Sequence, residues 1–106
     1  MVEERRLEKY IGKVLDDPYT MRIDGNWGEG EDIKFYIYND KATVAICYVA
    51  ITHFVEEDDK YFGDVTFMDF GYQDTYMKLR EMKHVELTTV SQIRSVLRKT
   101  KDIFSL

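Results

Sequence analysis

The chain has one cysteine, one proline and two histidines in 106 residues, and no apolar run in it approaches the ~20 residues that a membrane-spanning helix requires. Each scarcity closes off a class of protein. A lone Cys47 allows no internal disulfide, which fits a reducing compartment. His53, His84 and Cys47 are too few and too scattered in sequence to form a tetrahedral zinc set. Residues 1–6 carry acids and arginines where a secretory leader needs an apolar stretch, so the chain reads as cytoplasmic with no membrane partner. No repeat, low-complexity segment or linker divides it. With 44% hydrophobic and 33% charged residues, it has the composition of a single globular domain over 1–106.

What the sequence does have is segregated charge. Residues 1–17 hold five acids and four bases, residues 18–74 twelve and four, and residues 75–106 three and seven. An acidic middle therefore adjoins a basic tail.

Periodicity sets the expected elements. Leu7, Tyr10, Ile11, Val14 and Leu15 recur at three-four spacing opposite Glu4, Arg5, Glu8, Lys9 and Lys13, which predicts an amphipathic helix over residues 2–15, stopped by Asp16-Asp17-Pro18. Residues 19–24 are short and mixed. Ile33, Phe35 and Ile37 then alternate with Lys34, Tyr36 and Tyr38, and residues 42–55 are apolar at both parities, as in a central strand. Glu56-Glu57-Asp58-Asp59-Lys60 reads as a turn tip, and residues 61–70 return as a further strand. Short connections make this an antiparallel meander of three or four strands. Residues 74–83 favour a helix capped by Asp74, although Met77, Leu79, Val85 and Leu87 share one parity and could also belong to strands. Thr89-Val90-Ser91-Gln92 has the form of a capping box, opening a helix over residues 90–103. The fold expected is thus α+β: an N-terminal helix, a three- to four-stranded sheet, and a helical C-terminal third packed on it.

No cluster of residues spells out a reaction. His53 and Cys47 share strand parity, but six residues at about 3.3 Å each put them roughly 20 Å apart, too far for a nucleophile and its base. Cys47 lies in the most apolar segment, where a thiol is a small buried hydrophobe. The stretch from Asp24 to Asp32 invites a calcium reading and fails it: Glu29 stands where the hand-loop needs glycine and Phe35 where it needs a bidentate glutamate. The same glycines lack the lysine of a phosphate cradle. No catalytic residue, metal or cofactor is expected.

The partner-binding residues expected are Trp27, Glu29, Glu31 and Asp32 in the glycine-rich loop, Tyr36 and Tyr38 on the outer face of the sheet, and Glu56, Glu57, Asp58 and Asp59 at the turn. Acids among exposed rings suit a basic protein surface, such as that of a nuclease or another nucleic-acid-binding protein, and repel duplex nucleic acid. Direct binding of duplex would have to use Arg94, Arg98, Lys99 and Lys101, cations that the helix C-terminus also favours. In size and charge the chain is similar to the small acidic inhibitors that phages direct against host nucleases, anti-CRISPR and DNA-mimic proteins among them; the similarity is one of type and rests on no motif. Two other readings stand beside a non-catalytic acidic binding module. One is a homo-oligomeric assembly protein using a sheet edge or the tyrosine face. The other is a small-ligand pocket or enzyme using Asp64, Asp69 or His53.

Overall fold

The computed structural model describes residues 14–16, 18–24, 32–39, 45–70 and 76–106. They form one five-stranded antiparallel sheet in which every strand pairs with its neighbours in sequence: β1 (Tyr19–Asp24), β2 (Ile33–Asn39), β3 (Cys47–Glu57), β4 (Lys60–Phe70) and β5 (Tyr76–Glu86). Helix α1 (Val90–Arg98) follows, then a single turn, α2 (Thr100–Ile103).

One face of the sheet is the core. Met21 from β1, Ile33, Phe35 and Ile37 from β2, Cys47, Val49 and Ile51 from β3, and Val65 and Phe67 from β4 are all buried, in the period-two pattern of strands with one dry side. Helix α1 closes this face with Ile93, Val96 and Leu97, and the turn residues Val14 and Leu15 join the same cluster. The capping box is present: the Gln92 N–H donates to Thr89 Oγ1 at 3.2 Å, and Gln92 Oε1 accepts from the Thr89 N–H at 3.0 Å. Gln92 also donates to Glu86 at 2.5 Å, tying the start of the helix to the last strand.

This architecture corrects the expected one. The sheet has five strands rather than three or four, because residues 19–24 form β1 and residues 76–86 form β5 instead of a helix. A helix there would have had only a short apolar row, Tyr76, Leu79 and Met82, since three-four steps from Met77 lead to Arg80, Glu81 and His84. As a strand, the same residues pair with β4 from Phe62↔Glu86 to Phe70↔Tyr76, with two register shifts on the way. The helical C-terminal third shrinks to nine residues plus one turn, because the chain tightens at Lys99, whose N–H donates to the Val96 carbonyl at 3.1 Å. The tightening turns Phe104 back against Phe67, with ring centroids 6.1 Å apart. Of the expected N-terminal helix, residues 2–13 lie outside the described residues, and Val14 and Leu15 at its end form a turn and a bend.

Candidate functional site

The β3–β4 hairpin outruns β1 and β2, while β5 accompanies it as far as Phe62↔Glu86. β2 pairs with β3 only from Ile37↔Cys47 to Ile33↔Ile51, whereas β3 and β4 stay paired out to Glu57↔Lys60. Asp58 and Asp59 make the turn, with φ of 52° and 64°. Positive φ at both central residues is the backbone of a two-residue hairpin turn whose twist matches the strands, and aspartate is among the few non-glycine residues that adopt it readily. Glu56, Glu57, Asp58 and Asp59 are all exposed. Glu57 faces His84 at 3.4 Å; among the described ion pairs, Glu56, Asp58 and Asp59 have no cation. Neighbouring Lys60 reaches instead toward Glu86, at 4.0 Å.

Two β-bulges at the base of this arm meet at one carboxylate. The β3–β4 register shifts between Thr52 and Val55, and the β4–β5 register between Gly63 and Val65. At these shifts His53 and His84 adopt φ of 53° and 51°, a conformation that bulges usually give to glycine. Asp64, on the strand between them, accepts the backbone N–H of His84 at 2.9 Å and lies 3.1 Å from His53 Nδ1 and 3.6 Å from Lys83 Nζ. The His84 N–H foremost, with Lys83 and His53 adding to it, holds the Asp64 carboxyl below its ordinary value. The His84 ring stacks on Phe62 with centroids 4.3 Å apart.

A carboxylate beside a histidine also resembles a general-base pair, but here both carboxylate oxygens hold the bulges in shape. His53, 75% exposed in its side chain, meets both Asp64 and its other described partner, Thr52 Oγ1 at 3.0 Å, through the same ring nitrogen, Nδ1, whereas a base relay between carboxylate and hydroxyl uses both nitrogens. The chain of charges continues to Glu81, which is paired with Lys78 and Lys83 and pulled down to about 2 by their hydrogen bonds.

Tyr36 and Tyr38 stand on the sheet face opposite the core, both half-buried. Arg22, Tyr36, Tyr48, Met68 and Lys78 fall in one row across all five strands. The Tyr36 and Tyr48 rings lie 5.6 Å apart, Arg22 sits 4.9 Å over Tyr38, and Lys34 lies 5.7 Å from Tyr48. Among the described contacts, Tyr38 and Tyr48 each meet a cation in cation–π geometry, and Tyr36 meets Tyr48. Nine residues of β3 separate Tyr48 from Glu57, roughly 30 Å at strand rise. The hairpin acids and the sheet tyrosines therefore occupy opposite ends of the molecule. Exposed Asp32 precedes Ile33, whose partner Ile51 sits at the foot of the arm, so it belongs to the acidic end. Trp27, Glu29 and Glu31 lie outside the described residues.

Cys47 is buried, and desolvation foremost, with the Asp69 charge adding, pushes its thiol up to about 12. Among the described residues no group of three or more His, Cys, Asp or Glu is placed to hold a metal ion, and no helix is long and apolar enough to cross a membrane. Sequence reasoning named Asp64 and His53 as candidate pocket residues but missed the two bulges that Asp64 joins, because their signal, left-handed backbone, fell on histidines instead of glycines. It also missed the cations over the tyrosines, which only strand register reveals. No known family model, curated protein or solved structure matches the chain.

Proposed function

We propose that this protein is a non-catalytic acidic binding module whose β3–β4 arm docks on a basic protein surface of the kind carried by nucleic-acid-binding proteins. The observation that carries this reading is the tip itself: four consecutive exposed carboxylates, three of them without a cation among the described ion pairs, on a hairpin whose turn and base are both geometrically fixed. A fixed tip loses little conformational freedom on contact, and unpaired like charges raise the potential that steers a cationic partner inward. Asp32 adds to the same end. Tyr36 and Tyr38 belong to the opposite end, so a partner that used both would have to span about 30 Å of sheet.

The test is binding to a panel of purified basic nucleic-acid-binding proteins at about 50 mM and about 500 mM salt, with the native chain and with Glu56, Glu57, Asp58 and Asp59 all changed to lysine. A partner of the arm binds the native chain at low salt, releases it at high salt and in competition with duplex DNA, and ignores the reversed tip. Binding that survives both salt and charge reversal would overturn the reading.

A further inference from the structure

Helix α1 turns Ile93, Val96 and Leu97 inward, and on another side of it Val90, Ser91, Arg94, Ser95 and Arg98 are the described residues along an open cleft of about 520 Å³. That volume is within the range of small-ligand sites. Arg94 and Arg98 are four residues apart and so lie one above the other on the helix, as do Ser91 and Ser95. Neither guanidinium takes part in any described ion pair or hydrogen bond, and Arg94 Nε is buried with no acceptor at all. Lys101, by contrast, holds Asp16 at 2.7 Å, and Lys78 and Lys83 in β5 hold Glu81. No described residue lining the cleft is acidic.

A buried donor without an acceptor is costly, and a guanidinium is built for paired oxygens. We infer that this cleft binds a small ligand bearing a phosphate or diphosphate group, with Arg94 and Arg98 clamping the anion and the Ser91 and Ser95 hydroxyls donating to its remaining oxygens. A small dianion is favoured over a nucleic-acid strand because the chain carries a net charge of −5, with its acidic excess in residues 18–74; a polyanion lying across the surface would meet that excess and a compact ligand would not.

The experiment titrates inorganic phosphate, pyrophosphate and a short single-stranded oligonucleotide into the native chain, following the Arg Nε–Hε resonances by NMR. Pyrophosphate is expected to saturate with a Kd of about 1 mM or tighter and to shift Arg94 Nε–Hε most, with phosphate weaker. Arg98→Ala, at an exposed position, and Arg94→Lys should each weaken binding at least tenfold while the fold stays intact by circular dichroism; Lys99→Ala, outside the cleft lining, should not. Absence of saturable shifts with pyrophosphate, or equal affinity in Arg94→Lys and Arg98→Ala, would overturn the site. An oligonucleotide that binds more tightly than pyrophosphate would overturn its assignment to a small ligand.

Discussion

The hairpin arm and helix α1 both carry charges that have no counterion among the described ion pairs, of opposite sign, and they hold them in different ways. On the arm the acids sit past the end of the core, on backbone whose shape is set by a positive-φ turn and two bulges. On α1 the arginines occupy part of a helix whose other side is core, behind a complete capping box. Charge counts along the chain see two blocks of opposite sign and nothing more. Three dimensions divide the basic block, because Lys78 and Lys83 in β5 are spent on Glu81 and Asp64, and Lys101 on Asp16, while Arg80, Arg94, Arg98 and Lys99 have no counterion among the described ion pairs. What distinguishes a docking charge from a structural one is whether the fold has already supplied its counterion.

The comparison breaks most readily at the base of the arm. Gly63 is buried between the two bulges, and a Cβ added there would lie 2.9 Å from Ile51 Cγ2 and 3.3 Å from Leu87 Cδ1. Because Ile51 Cγ2 is fixed next to the backbone, it has little room to yield. Gly63→Ala should cost about 1–3 kcal/mol, measured by urea denaturation, through overpacking at the point where arm, β5 and core meet. If the arm is held independently of the helix, ligand shifts at Arg94 should persist in this variant under native conditions.

The sequence carried the interior of the sheet well, because Ile33, Phe35 and Ile37 alternate strictly and residues 46–51 are apolar at both parities, patterns that burial on a central sheet dictates. It also carried the start of α1, where Thr89 and Gln92 have one local job. It favoured the wrong element over residues 76–86, where Met77, Leu79 and Val85 share strand parity but the choice is settled by a partner, the ladder that β4 offers from Phe62 to Phe70. The acids at positions 56–59 were legible as an exposed turn. Their separation from Tyr36 and Tyr38 was not, since register decides which end of a strand a residue occupies. The bulges were illegible for a further reason, that histidine stands where glycine would have announced them.

A smaller effect sharpens the role of Asp64. Its carboxyl is held below its ordinary value of 3.8 in the folded chain, so its contribution to stability is complete above that value and is lost as pH falls through the lowered folded one. Glu81 and Glu86 are shifted in the same direction, so the informative quantity is the difference between the native chain and Asp64→Asn across an acid titration. The asparagine oxygen can still accept the His84 N–H but loses the attraction of Lys83 and His53. Because the cluster is open to water, the loss should be about 1 kcal/mol or less near neutral pH, vanishing toward pH 2. An undiminished difference at pH 2 would mean that Asp64 acts through shape rather than charge.

The smallest effect on stability is the most telling about function. A turn with positive φ at both central residues is best served by Asn-Gly, yet this one is Asp58-Asp59, flanked by two glutamates. Changing Asp58→Asn together with Asp59→Gly relieves left-handed strain at position 59 and removes two like charges from a crowded tip, while the added glycine loosens the unfolded chain and offsets part of the gain. The net expected is stabilisation of about 0.5 kcal/mol, larger at low salt, where repulsion within the tip is less screened. Affinity for a basic partner should fall at the same time and lose much of its salt dependence. A variant that is both more stable and a weaker binder would show that the tip carries its acids against the preference of its own turn, which a purely solvated hairpin has no reason to do. Equal stability and equal binding would remove the distinction between arm and helix, leaving the four carboxylates as ordinary surface.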